Sequence, residues 1–117
     1  MSITDRSDKE IIEIAWAMID EIVSASNQQD WALFSKHQTA ESASDPENRK
    51  SVERQWKESE LLTSLKPQRE ILGVLRRDDV AVVYWKQTSN KVPGEYLATY
   101  HIKEVEREIK EVGFLIV

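Results

Sequence analysis

Ile102–Val112 reads IKEVEREIKEV, and its secondary structure decides how the chain folds. Ile102, Val105, Ile109 and Val112 recur at three- and four-residue spacing, and glutamate and lysine favour helices. Taken alone, the segment fits an amphipathic helix. Its neighbours argue for a sheet. Before it, EYLATYHIK (Glu95–Lys103) is rich in strand-forming residues. Tyr96, Ala98, Tyr100 and Ile102 fall on one side of such a strand, and Leu97, Thr99 and His101 on the other. After it, Phe114, Leu115, Ile116 and Val117 are all apolar. The expected structure is therefore a hairpin turning near Glu106–Arg107. On simple alternation Val112, Phe114 and Ile116 point one way, and Leu115 and Val117 the other. Both faces of that last strand are apolar and both need cover.

Working back from the hairpin, REILGVLRR (Arg69–Arg77) and VAVVYWKQT (Val80–Thr88) are β-rich runs joined at Arg77-Asp78-Asp79. Asn90, Pro93 and Gly94 mark a turn before the next strand. Upstream of Pro67 the period is helical. Ser7 with Glu10 has capping-box spacing, and Asp8–Ser26 carries an apolar stripe of Ile12, Ala15, Ile19, Ile22 and Val23. Ile11, Ile14, Met18 and Ala25 widen it on one side and Trp16 borders it on the other, an arc broad enough to touch a sheet and a second neighbour. Asp30 is placed to cap a short second helix, WALFSKH. Gln38–Ser44 is small and polar and reads as loop. Asp45-Pro46-Glu47 is a strong helix start. Val52 and Trp56 share a face of that helix. It is expected to end near Glu58, with a kink or separate turn before Pro67.

The 117 residues suit one domain with one core. The net charge of −5, with no dense Lys/Arg cluster, argues against a nucleic-acid partner. Without cysteine there is no disulfide, thiolate nucleophile or Cys-bound metal. No run approaches the ~20 apolar residues of a membrane span, and the charged start does not resemble a signal peptide. The expectation is a cytoplasmic protein with no membrane association, cofactor or redox role.

NQQDWALFSKHQTAE (Asn27–Glu41), VAVVYWKQT (Val80–Thr88) and YHIKEVEREIKEVGF (Tyr100–Phe114), in this order of helices then strands, resemble the nuclear-transport-factor-2-like superfamily. That group includes SnoaL-like polyketide cyclases and ketosteroid isomerases. The resemblance covers most of the chain. It implies an α+β fold in which N-terminal helices pack in a strongly curved antiparallel sheet, a cystatin-like cone, with four main strands in a C-terminal meander. It also implies a pocket between sheet and helices, and a homodimer across the outer face of the sheet. Relatives usually carry a small strand pair between the second and third helices; Gln38–Ser44 is barely long enough for one.

Four tryptophans are a high count for this length. Each is read first as core packing, since one Trp buries a large area and needs a single partner for its N–H. Trp16 and Trp56, with Tyr100 and Trp85, are the candidates for an aromatic pocket taking a small hydrophobic ligand. His101 and an acid such as Asp20 are the candidate proton carriers for a cofactor-free lyase, isomerase or hydrolase. His37 suits the negative end of a short helix. Two isolated histidines make a zinc site improbable. Asp45 falls where ketosteroid isomerases carry an acid, yet its place before Pro46 makes it an N-cap. The first helix also lacks the tyrosine those isomerases use. A binding or dimerisation module is therefore preferred over catalysis.

Overall fold

The computed structural model describes residues 2–117. Helix α1 (Asp8–Gln28) is followed by α2 (Trp31–Phe34), α3 (Ala40–Ser44) and α4 (Pro46–Glu58). Strands β1 (Leu65–Arg77), β2 (Val80–Ser89), β3 (Tyr96–Val105) and β4 (Glu108–Ile116) then form an antiparallel meander in sequence order. The fold is α+β. Among the described residues no helix is long and apolar enough to cross a membrane.

Local chemistry sets each boundary. The Ser7–Glu10 capping box opens α1, and Gln29 closes it in the left-handed region. Asp30 caps α2, which ends at Phe34, three residues short of the expected WALFSKH; Ser35 stays in the right-handed region and the chain continues as turns to the bridge at Gln38. Asp45 caps α4 ahead of Pro46, and α4 ends at Glu58 as expected. A separate 3₁₀ turn at Leu61–Thr63 then leads to β1. The stretch 38–44, expected to be loop, contains α3. The Thr39 hydroxyl accepts from the Ser42 amide and starts this single turn, a capping role that short polar segments support without any hydrophobic period.

The deciding segment is a hairpin. Glu106 and Arg107 form its two-residue loop at φ of 51° and 69°. Both central residues of a tight primed turn need positive φ, a geometry matched to sheet twist and more often supplied by Asn-Gly. The helical spacing of the apolar residues around it is broken by that turn and by a bulge. His101 pairs with Gly113 and Ile102 with Glu111, so Val112 is the extra residue of β4.

That bulge corrects the alternation expected for the last strand. Phe114 and Ile116 share a face as expected, and that face is the inner one, but Val112 is exposed and its neighbour Glu111 is buried. Leu115 and Val117 are 61% and 75% exposed, so the chain end is covered on one face only.

The core lies between α1 and the inner face of the sheet. Ile11, Ala15, Ile19 and Ile22 of α1 meet Val83 and Trp85 of β2 and Ala98, Tyr100 and Ile102 of β3, all buried. At roughly 1.5–3 kcal/mol per large buried apolar side chain, this layer is the main source of stability. Leu75, Leu97, His101, Leu115 and Val117 lie on the opposite, outer face, by their register against Val82 and Thr99 and against one another.

Candidate functional site: a cleft between a helix and a strand edge

A cleft of about 550 Å³ lies between α4 and β4. Its lining shows its geometry. From α4 and its cap it takes Asp45, Asn48, Ser51, Val52, Gln55 and Trp56, at three- and four-residue steps, so one helical face forms a wall. From β4 it takes every residue from Glu111 to Ile116. A cavity on one face of a strand would touch alternate residues. Contact with consecutive residues means the cleft runs along the strand's edge.

A chain of hydrogen bonds holds the two walls apart. Glu21 of α1 accepts from Lys36 Nζ at 2.6 Å and lies 3.0 Å from His37 Nε2. These contacts hold the Glu21 carboxyl below its usual range and fix the turn after α2 against α1. From there the His37 carbonyl accepts from the Glu111 amide at 2.7 Å, and Gln38 makes a parallel bridge to Glu111. Asn48 of α4 donates to Gln38 Oε1 at 3.1 Å and to the Ser42 carbonyl at 2.9 Å. At the other end, Trp56 Nε1 donates to Ser26 Oγ at 3.2 Å, and Ser26 Oγ donates to the Leu62 carbonyl. So α4 is pinned to α1 and to the Gln38 segment, while most of it stands off from β4.

The floor is aromatic. Phe34 meets Trp56 edge-on at 5.3 Å between centroids, and Phe114 at 6.3 Å. Phe114 in turn stacks on Trp85 and meets Tyr100 edge-on, both at 6.3 Å. Phe114 thus joins the cleft floor to the core. The rim is polar and no Lys or Arg lines it. Glu111 sits at one end, and burial alone pushes its carboxyl up to about 7. The Tyr100 hydroxyl is buried without a hydrogen-bond partner among the described residues. Burial raises its pKa first, and the Glu111 and Glu21 carboxylates add to that.

Of the four aromatic candidates, Trp56 lines the cleft. Trp85 and Tyr100 are fully buried in the core beneath it. Trp16 lies elsewhere, with the Arg69 guanidinium 4.8 Å from its ring centroid. The Arg69 side chain is wholly buried, and its Nη1 is 2.8 Å from Asp20 Oδ1. That oxygen lies off the N–H direction, so the contact is one of charge rather than a directed hydrogen bond, and no guanidinium nitrogen has a hydrogen-bond partner among the described residues. His101 lies on the outer face, 3.1 Å from Thr99 Oγ1 and against Gly113, where any Cβ would come within 3.2 Å of the ring. Burial, then Arg77, lowers its pKa. His101 and Asp20 are therefore held on opposite sides of the sheet and are not brought together. Sequence reasoning missed Phe34, Asn48, Gln55 and Glu111. The shared face of Val52 and Trp56 was the available signal. No family model, curated protein or solved structure matches the chain.

Proposed function

We propose that this chain is a non-catalytic binding module of the nuclear-transport-factor-2-like kind, cytoplasmic, whose α4–β4 cleft takes a small, partly apolar ligand. The supporting observation is the cleft itself: an aromatic floor of Phe34, Trp56 and Phe114 under a polar rim, at a volume within the roughly 300–1,000 Å³ of small-ligand sites. The meander with bulges in β1 and β4 is compatible with a cone-like sheet around α1. The separation of His101 from Asp20 leaves the cofactor-free lyase, isomerase or hydrolase reading with no shared surface on which a substrate would meet both. Tryptophan fluorescence against steroids, polyketides and fatty acids tests the cleft. Quenching should vanish in Trp56→Phe and persist in Trp16→Phe; no response to any of these ligands contradicts the reading.

A second reading concerns the outer face. Leu75, Leu97, Leu115 and Val117 expose between 42% and 75% of their surface on that one side. A face so apolar suits a two-fold contact between copies of the chain. Sedimentation at micromolar concentration should show a dimer that Leu75→Lys with Leu97→Lys converts to a monomer. A wild-type monomer contradicts it.

A further inference from the structure

Leu97 and Val117 exchange both backbone hydrogen bonds, at 2.9 and 2.8 Å. In an antiparallel pair such bonded positions alternate with unbonded ones. Thr99 opposite Leu115 and His101 opposite Gly113 continue the bonded set, while Ala98 opposite Ile116 and Tyr100 opposite Phe114 fall between. The N–H and C=O groups of Phe114 and Ile116 therefore turn away from β3, toward the cleft. These groups, unlike an apolar floor, specify the chemistry of what they meet: another extended backbone.

The chain itself shows the pairing once. His37 and Gln38 lie along the start of this edge, bonded to the Glu111 amide and parallel to β4. At Thr39 the chain turns off into α3, and the line it began continues into the cleft beside Val112–Ile116. The walls add a charge preference. Glu111 and Asp45 line the cleft, and among the described residues no cation does.

We propose that the cleft takes an extended peptide, which continues the line of His37–Gln38 as a fifth strand on the edge of β4 and presents a basic side chain to Glu111. The peptide's inward side chains lie beside Phe114 and Ile116, over Phe34 and Trp56. Its outward ones meet the polar face of α4, Asn48, Ser51 and Gln55. This rests on the cleft being a binding site and replaces a discrete small molecule with a peptide segment as its ligand.

The test is an amide-resolved NMR titration of the full chain with the hexapeptide acetyl-Lys-Thr-Val-Thr-Val-Thr-amide, whose lysine shares a face with its two valines. Saturable shifts at Val112–Ile116 and Asn48–Trp56 are expected. N-methylating alternate peptide amides should weaken binding about tenfold or more, since each lost backbone hydrogen bond leaves its partner unmet. Lys-to-Glu exchange in the peptide should also weaken it. Ile116→Pro removes one outward amide without touching the ladder to β3, and should abolish binding while the β3 and β4 core signals stay in place. Binding indifferent to N-methylation and to Ile116→Pro overturns strand addition but leaves a side-chain pocket standing. So does an absence of peptide binding alongside Trp56 quenching by a small molecule. Loss of both responses removes the cleft reading as well. Concentration-dependent shifts at the Phe114 and Ile116 amides without peptide, persisting in Leu75→Lys with Leu97→Lys, would identify a second copy as the occupant and likewise overturn the proposal.

Discussion

The two edges of the sheet are built in opposite ways. The β1 edge carries Pro67, register irregularities between Leu65 and Arg69 and between Ile71 and Gly73, and the charges of Glu70, Arg76 and Arg77. Proline, bulges and charge are the usual means of blocking an added strand. Arg76 also donates to the carbonyls of Thr4 and Arg6 and pairs with Asp8, tying that edge to the start of α1. The β4 edge has one bulge and then Gly113-Phe114-Leu115-Ile116, without a charge, beside a cleft instead of bulk solvent. Edge protection placed on one side only, with a groove beside the other, distinguishes a closed end of the sheet from one built to receive a partner.

The largest expected effect breaks the cleft wall. Trp56→Ala removes a buried indole that anchors α4 to Phe34 and Ser26. It should cost about 3–5 kcal/mol in chemical denaturation and abolish ligand binding at the β4 edge.

Glu111 provides the next effect. Its folded-state pKa, about 7, lies above the ordinary 4.5. The folded protein therefore holds a proton that the unfolded chain has released, and stability falls as pH rises from about 4.5 through about 7. The loss should approach roughly 3 kcal/mol above pH 8. Urea midpoints for Glu111→Gln should lose this fall, keeping only the rise with pH that the lowered His101 pKa contributes, and should be higher than wild type at pH 8. A wild type that gains stability from pH 5 to 8 through this residue would contradict the assignment of a buried, unpaired carboxyl.

On the β1 side, Asp20→Ala strips the buried Arg69 guanidinium of its carboxylate. Removing one partner of a fully buried pair costs more, but Asp20 is half exposed, so about 1–2 kcal/mol is expected. Binding in the cleft should be untouched. The smallest effect is Pro67→Thr, within about 0.5 kcal/mol of wild type in stability. It should nevertheless raise aggregation, measured by light scattering, because it restores an edge donor.

The sequence was legible where local rules act alone. Ser7–Glu10, Asp30 and Asp45-Pro46 each marked a helix start, and the runs around Glu106–Arg107 argued for a hairpin against their own helical spacing. Alternation grouped Ala98, Tyr100 and Ile102 on one side of β3, and the structure turns that side inward. The bulge at Val112 was not legible, because one extra residue reverses the facing of everything on its amino-terminal side, and so Glu111, which simple alternation sets on the side of Leu115, lies instead with Phe114. The α3 turn was invisible because five small polar residues carry no hydrophobic period. The cleft was hidden for a different reason. It exists because Glu21, His37, Gln38 and Asn48 hold α4 at a distance from β4, and no local pattern records a distance between elements remote in sequence.

The most direct measurement is amide hydrogen exchange, residue by residue, along the last strand. An open β4 edge predicts alternation: slow exchange at Gly113, Leu115 and Val117, fast exchange at Phe114 and Ile116, and slowing of those two amides when the lysine-bearing hexapeptide is added. Uniform protection from Gly113 to Val117 in the free protein would mean the edge is already paired, and would contradict the account.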